Sequence, residues 1–289
     1  MQGRLTFLGT GTSMGVPTVG CDCAVCTSAD PRDRRLRPSV LLRWNEPYTQ
    51  VSGTPSTQPK AVAGVGQEES GQDSRERVVL IDTGPDFREQ ALRNGLRQVD
   101  AVLYTHSHAD HIFGLDDLRP LSFIAYRAGG PIPLYAAPET AAVLERVYDY
   151  TFSPEATYPN RARLEIVPLE DRTRIHGVNF VRVPVMHGGM EIAGFRFGDT
   201  AYLTDVSEIP EASFALLQGL ETLVLPALRF KPHPSHATVD QAVGWARRIG
   251  ARQTWLTHIA HELGHKETNR ILPSGVALAY DGLEVSVAL

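Results

Sequence analysis

The heptapeptide THSHADH at residues 105–111 restricts the possible folds of this chain more than any other stretch. Directly after the strand-like run DAVLYT, it places four potential metal ligands within six positions: His106, His108, Asp110 and His111. Neutral imidazoles and carboxylates suit zinc, manganese and iron. Imidazoles at positions i and i+2, followed by a carboxylate and a third imidazole, can face two neighbouring centres. The motif therefore predicts a metal site at the end of a strand.

Further candidate ligands lie at the ends of other predicted strands. They are His187 in VPVMHGG, Asp205 in AYLTDVS and His258 in WLTHIAH. Each of these residues alone is typical of a turn, but in a chain that also contains HxHxDH they indicate a shared metal centre. We interpret the histidines outside these patterns as surface or loop residues: His176, His233 and His265.

The cysteines form a second cluster of candidate ligands. All three cysteines of the chain fall in the run GCDCAVC, at Cys21, Cys23 and Cys26. An odd number of thiols cannot pair completely into disulfides, whereas C-x-C-x-x-C spacing suits zinc, which takes four ligands in a tetrahedron. The residues of the run supply three ligands and leave the fourth open.

Hydrophobic periodicity predicts a mixed α/β chain. The predicted strands cover residues 4–9, 39–44, 78–82, 100–106, 164–169, 178–187, 192–198, 201–205, 223–228 and 253–258, and the predicted helices cover 87–96, 139–152 and 238–250. Strands in two blocks, each followed by helices, indicate a layered sandwich with the helices outside. Residues 45–77 are rich in Gly, Pro, Ser, Thr and Gln, which predicts a flexible insertion within a single domain spanning 1–289.

Composition and charge narrow the functional classes. With 289 residues and 42% hydrophobic content, the chain can bury a sizeable core. A formal net charge of −5 does not favour a long nucleic acid as partner. We find no run of about 20 apolar residues that would span a membrane, and no export signal. Together with the unpaired thiols, these features predict a cytoplasmic protein.

Six motifs taken in order resemble the metallo-β-lactamase fold hydrolases, and in particular the phosphodiesterase that accompanies the bacterial carbon–phosphorus lyase system. They are GTGTSMGVP, GCDCAVC, LIDTGPD, THSHADHIFGLDDLR, SHAT and LTHIAH. The resemblance spans nearly the whole chain. It implies a four-layer αββα sandwich with the active site along one edge, and it suggests a homodimer.

The resemblance also implies the roles of individual residues. One catalytic metal would be bound by His106, His108 and His187, the other by Asp110, His111 and His258, with Asp205 bridging the two. Both metals would be manganese or zinc. A structural zinc would be held by Cys21, Cys23, Cys26 and His261. His236, in PSHATVD, would act as general acid, and Asp110 would be catalytic as well as a ligand, while Asp82 would brace the ligand loop.

The expected activity is that of a metal-dependent phosphodiesterase. Two divalent ions about 3.5–4 Å apart can activate a hydroxide and hold both phosphoryl oxygens of a diester. The resemblance implies a small substrate, namely a phosphoribosyl cyclic phosphate. Two alternatives stay open: an endonuclease of the same superfamily that processes tRNA 3′ ends, and a metal-binding protein without turnover.

Overall fold

Two β-sheets packed face to face form the centre of the protein. The computed structural model describes residues 1–47 and 74–289. Strands in these ranges are β1 Gln2–Gly9, β2 Ser39–Pro47, β3 Ser74–Ile81, β4 Ala101–Leu103, β5 Ile132–Ala136, β6 Leu164–Pro168, β7 Arg172–Ile175, β8 Val178–His187, β9 Met190–Phe197, β10 Thr200–Tyr202, β11 Thr222–Pro226, β12 Gln253–Thr257, β13 Val276–Leu278 and β14 Glu284–Ala288. One sheet has the order β14-β1-β2-β3-β4-β5-β6 and the other β13-β12-β11-β10-β9-β8-β7.

Helices cover the outer faces of both sheets. They are α1 Phe87–Arg93, α2 Ala109–Ile112, α3 Arg119–Ala128, α4 Pro138–Val147, α5 Asp149–Phe152, α6 Glu211–Phe214, α7 Val239–Ile249 and α8 His265–Asn269. Short 3₁₀ turns lie at Pro31–Asp33, Leu115–Leu118 and Ala215–Leu217. In the part of the chain that the structure describes, no helix is both long and apolar enough to cross a membrane.

The side chains of β3 show why the layers form. Val79 and Ile81 face the second sheet and join the core between the sheets, whereas Val78 and Leu80 face the helices on the other side. A strand that is buried on both faces needs a continuous apolar run, and VVLI is such a run. In the second sheet, Leu223 likewise packs towards α7. The layers are therefore helix, sheet, sheet, helix, which confirms the predicted αββα sandwich.

Parallel pairing brings the candidate ligands to one edge. Strands β3, β4, β5 and β6 run parallel to one another, and so do β10, β11, β12 and β13. Carboxyl ends of parallel strands meet at the same edge of a sheet, which is where open α/β sheets place their ligands. The loops after β4, β10 and β12 carry the HxHxDH motif, Asp205 and His258.

Several predicted boundaries differ from the structure. The strand predicted over 100–106 ends at Leu103, because the chain leaves the sheet to form the loop that carries His106. The helix predicted over 139–152 is interrupted at Tyr148, whose backbone has φ −113° and ψ 41°, and continues as α5. Helices α3, α6 and α8 and strands β5, β7, β13 and β14 have no counterpart among the predicted ranges, since most of them are too short to show a clear periodicity.

The insertion predicted at 45–77 also needs correction at both ends. Pro47 pairs with Ser74, and Asn45 with Glu76, so residues 45–47 and 74–77 belong to the antiparallel strands β2 and β3. The rest of the predicted insertion, residues 48–73, lies outside the described residues.

Helix α7 begins and ends where its sequence predicts, and it provides a test of local stability. Thr238 accepts a hydrogen bond from the backbone N–H of Gln241, whose side chain accepts one from the N–H of Thr238. We expect Thr238→Ala to lower the free energy of unfolding by about 1 kcal/mol, because the backbone N–H of Gln241 loses its side-chain acceptor. A Cβ at Gly244 meets nothing within 4 Å, so Gly244→Ala on the same helix should raise stability by about 0.5–1 kcal/mol. Urea unfolding measures both, and a cap variant as stable as the parent protein would contradict the first expectation.

Candidate metal centre

The HxHxDH loop begins just beyond β4 and folds tightly against the loop after β3. His108 is the residue that precedes the first turn of α2, and Asp110 and His111 lie within that turn. The backbone N–H of Thr83 donates to the carbonyl of His111 at 2.8 Å. A Cβ at Gly84 would overlap the carbonyl oxygen of Asp110, so only glycine allows this close approach. The packing of the two loops fixes where the motif points.

The predicted catalytic ligands come together in two sets. The first set contains His106, His108 and His187, and the second contains Asp110, His111, Asp205 and His258. Within each set the potential ligand atoms all lie within 4.8 Å of one another. Asp205 also lies within this distance of His187 and His236. Asp205 is therefore placed between the two sets, where a carboxylate can contact both.

The backbone around the centre is held in unusual conformations. Asp82, Asp205 and His258 have positive φ angles of 65°, 58° and 53°. The left-handed region is uncommon for residues other than glycine, and such strain persists only where the surrounding structure imposes it. Because all three residues follow strands that end at the same edge, the sandwich dictates the direction of their side chains.

Hydrogen bonds behind the centre set the tautomers of two histidines. The buried Asp82 carboxylate accepts from the Thr105 N–H at 2.9 Å, from the Thr105 hydroxyl at 2.8 Å and from His111 Nδ1 at 2.8 Å. Since the Thr105 hydroxyl donates to Asp82, it accepts from His106 Nδ1 at 3.0 Å. Both imidazoles are thus protonated on Nδ1, and their Nε2 atoms are left for the centre.

His187 is oriented in the same manner from a different segment. Its Nδ1 donates to the carbonyl oxygen of Ser235 at 2.7 Å. Neither Thr105 nor Ser235 was predicted as part of the site. Thr105 directly precedes the first histidine of the motif and could have been found by its position, whereas no sequence signal links Ser235 to His187.

Several of the potential ligand atoms that face the centre are buried without a well-formed hydrogen bond. Among residues 1–47 and 74–289 these atoms are His106 Nε2, Asp110 Oδ2, His111 Nε2 and His258 Nε2. Buried polar atoms are nearly always paired, and leaving them unpaired costs free energy. Imidazole nitrogens and carboxylate oxygens that converge in this way fit a pair of divalent cations.

The electrostatics of the centre also favour cations. Burial alone raises the pKa of Asp205, but the neighbouring His258 and His111 outweigh it and hold that pKa well below its ordinary value. Conversely, Asp205 overcomes the effect of burial and raises the pKa of His258 to about 9. His258 Nε2 lies 2.9 Å from Asp205 Oδ1, and His111 Nε2 lies 3.1 Å from Asp205 Oδ2. The carboxylates thus attract positive charge, which divalent ions can supply in place of protons.

The cysteine cluster meets a histidine from the other end of the chain. His261 Nδ1 lies 3.2 Å from Cys21 Sγ, 3.6 Å from Cys23 Sγ and 3.4 Å from Cys26 Sγ. A tetrahedral zinc with Zn–S bonds of about 2.3 Å and Zn–N bonds of about 2.0–2.1 Å separates sulfur and nitrogen by about 3.5 Å. The four side chains therefore have the spacing of a closed zinc site.

His236 packs against the predicted catalytic ligands. Its ring stacks on His258 with a centroid distance of 4.7 Å, and its Nδ1 lies 3.7 Å from Asp205 Oδ1. Burial and the positive charge of His258 lower the pKa of His236 to about 3. The ring of His233 lies 4.9 Å from that of His236, so His233, although a loop residue as predicted, belongs to the surroundings of the site.

The other two unassigned histidines lie away from the centre. His176 occupies the hairpin turn between β7 and β8, as expected for a loop residue. The interpretation of His265 as a surface or loop residue was wrong, because its side chain is buried in α8 and packs edge-on against Tyr280.

Comparison with known proteins identifies relatives of this arrangement. Residues 77–259 match the family model for the Beta-lactamase superfamily domain. The crystal structure of a diphosphatase from the PhnP family is 48% identical, with a TM-score of 0.83, and the match covers 99% of this chain and 98% of that one. Ribonuclease Z from Anoxybacillus flavithermus is 25% identical over 74% of this chain and 89% of its own length.

A further relative is longer than this chain. An octanoyltransferase from Porphyromonas gingivalis is 33% identical over 98% of this chain, which spans 51% of that protein, or about half of its length. The matched superfamily region contains the HxHxDH motif, Asp205 and His258, and the PhnP-family structure is similar from end to end. The chain belongs to the β-lactamase superfamily and, within it, to the PhnP family.

Proposed function

We propose that this protein is a metal-dependent hydrolase that cleaves a small phosphodiester. The observation that carries the proposal is the pair of ligand sets on either side of Asp205 at the edge of the sandwich. A paired centre of this kind suits phosphoryl transfer, because two cations can clamp the reacting phosphoryl oxygens. The 48% identical diphosphatase of the PhnP family supports a reaction at phosphorus.

Each of the two ligand sets is assigned to one metal ion. His106, His108 and His187 would hold one ion and Asp110, His111 and His258 the other, with Asp205 close to both sets. When bound, the two ions supply an activated water and neutralise the charge of the phosphoryl group. The ligand types suit zinc or manganese. Asp110 takes part in catalysis through this position, while Asp82 and Thr105 keep the imidazoles correctly oriented.

His236 is the proposed general acid. It lies above Asp205 and His258, where the leaving oxygen of a bound phosphodiester would meet its ring. Burial lowers the pKa of His236, so the ring holds a proton near pH 7 only when an anion lies beside it. The negative charge of a phosphodiester raises the pKa of a neighbouring imidazole, so we expect His236 to take up a proton together with the substrate.

The identity of the substrate is the more specific part of the proposal. We favour a small, cyclic phosphoribosyl phosphodiester, as the sequence resemblance implies. The relationship to ribonuclease Z keeps tRNA 3′-end processing as the second candidate, although the net charge of −5 does not favour tRNA. Turnover of cyclic phosphodiesters without cleavage of precursor tRNA would favour the first candidate, and the reverse result would favour the second.

The cytoplasmic location and the homodimer stay predictions.

Asp205→Ala tests the paired centre. It removes a carboxylate that lies near both ligand sets, so we expect phosphodiesterase turnover to fall by about 100-fold or more and the metal content to drop. Turnover of bis(p-nitrophenyl) phosphate and elemental analysis provide the two measurements. Asp240→Ala, an exposed aspartate on α7, is the control and should leave both unchanged. Near-normal turnover by Asp205→Ala would rule out the proposed role of Asp205.

His236→Ala tests the general acid. Loss of a positioned proton donor typically costs about 10²–10⁴-fold in rate. The loss should be large for diesters with alkoxide leaving groups and small for those that release p-nitrophenolate, which hardly needs protonation. Steady-state kinetics on a series of leaving groups gives the comparison. Equal losses across the series would indicate instead that His236 binds or orients the phosphate.

Cys23→Ser tests the proposed structural zinc at Cys21, Cys23, Cys26 and His261. A site with four protein ligands has no open position for water, so its zinc should resist a mild chelator that strips the catalytic ions. We expect one such zinc per chain in the parent protein and none in Cys23→Ser, together with lower stability and activity. If the metal-loaded parent protein contains no retained zinc and its thiols react freely with a thiol reagent, the site does not exist.

A further inference from the structure

Arg35 is a fully buried cation that lies outside both proposed metal sites. Only 1% of its surface is exposed. Its guanidinium donates to Asp33 Oδ1 at 2.9 Å and to the backbone carbonyls of Leu263 at 2.6 Å and Ala260 at 3.2 Å. A buried guanidinium is stable only when its donors are satisfied, and here one side chain joins acceptors from two distant parts of the chain.

The contacts of Asp33 extend this connection. Its Oδ1 also accepts from the backbone N–H of His265 at 2.7 Å, at the start of α8, and its Oδ2 accepts from the Ser28 hydroxyl at 2.8 Å. Ser28 lies two residues beyond Cys26. The ion pair of Arg35 and Asp33 therefore links the end of the cysteine loop to the segment that follows β12.

That segment, residues 258–263, carries one proposed ligand for each metal site. His258 faces the catalytic centre and His261 faces the cysteines. Arg35 contacts the carbonyls on both sides of His261, at Ala260 and Leu263. Two guanidinium bonds that flank the ligand restrict the backbone from which its side chain projects.

The same segment is tied to the other side of the catalytic centre. The N–H of Ala260 donates to the carbonyl of Leu228 at 3.0 Å, at the start of the loop that leads to His236. The N–H of Ile259 donates to the carbonyl of Thr10 at 2.9 Å. Ala260 is thus held through its N–H by the loop that leads to His236 and through its carbonyl by Arg35. A change at Arg35 would therefore alter the positions of His258 and His236.

We propose that Arg35 is a positioning residue that holds segment 258–263 in the geometry that both metal sites need. The inference rests on the structural zinc proposed above. Arg35 pre-forms the zinc site by fixing the backbone on either side of His261, and through the same segment it keeps His258 aligned with Asp205. A side chain of similar size without the guanidinium would fill the space but would leave the two carbonyls without their donor.

Arg35→Met and a matched control, Arg77→Met, test this role. Arg77 is also a largely buried arginine in ion pairs, with Glu46 at 2.7 Å and Asp100 at 3.0 Å, but it lies on β3 away from both sites. Each protein is loaded with zinc, stripped of loosely held ions with a mild chelator, and mixed with a chromophoric zinc chelator. The slow phase of zinc release that disappears in Cys23→Ser reports the cysteine site. Thermal unfolding of each variant is measured in parallel.

We expect Arg35→Met to release this zinc about tenfold faster than the parent protein or more. Arg77→Met should lose thermal stability but release zinc at the parent rate, because its ion pairs do not touch segment 258–263. At saturating catalytic metal, kcat should fall in Arg35→Met and not in Arg77→Met. Equal zinc release by the parent protein, Arg35→Met and Arg77→Met would overturn the inference and leave Arg35 a residue of the core alone.

Two further variants keep the test decisive. If Arg35→Met does not fold, Asp33→Asn removes the charge of the partner at nearly constant size and should also speed zinc release. Arg35→Lys keeps the charge, but its single nitrogen cannot reach all the acceptors that the three guanidinium nitrogens contact, so it should fall between the parent protein and Arg35→Met. A parent protein without any slow zinc phase would refute the zinc site itself, whereas a slow phase unchanged in every Arg35 and Asp33 variant refutes only the role of Arg35.

Discussion

Negative charge that is buried at one edge of the sandwich is the constraint on which the candidate centre depends. Asp82 and Asp205 are almost completely inaccessible to solvent, and Asp110 is only 6% exposed. Buried carboxylates are stable only when cations neutralise them or hydrogen-bond donors contact them. Asp82 accepts hydrogen bonds from Thr105 and His111. Asp110 and Asp205 instead lie next to imidazoles whose Nε2 atoms have no other hydrogen-bond partner in the described residues. The arrangement of these side chains therefore suits the binding of divalent cations.

The fold provides this centre by ending strands of two sheets at a common edge. The core between the sheets and the two layers beneath the helices hold the strand ends rigidly. This rigidity explains how Asp82, Asp205 and His258 can keep positive φ angles. The loop with the cysteines and the segment that carries His258 and His261 then pack on each other, so that the proposed catalytic centre and the proposed zinc site share one piece of backbone.

Much of the fold and of the candidate site was accessible from the sequence for identifiable reasons. The run VVLI marks a strand buried on both faces, and Thr238 and Gly250 mark the ends of α7. The HxHxDH motif and the cysteine run are local patterns whose spacing reflects metal chemistry directly. Strands β13 and β14 were not accessible, because tertiary contacts rather than local periodicity stabilise strands of three and five residues.

The sequence by itself determined which side chains are available as ligands and, through alternating and helical periodicity, the kinds of layers that bury the apolar residues. Only the tertiary structure decided that Asp205 lies between the two ligand sets and that Ser235 orients His187. It also decided that Arg35 joins the cysteine loop to segment 258–263. The Ser235–His187 contact and the Arg35–Leu263 contact link residues 48 and 228 positions apart. Local sequence patterns reflect interactions between neighbours along the chain, whereas contacts at such separations exist only once the sheets have brought their loops to the same edge.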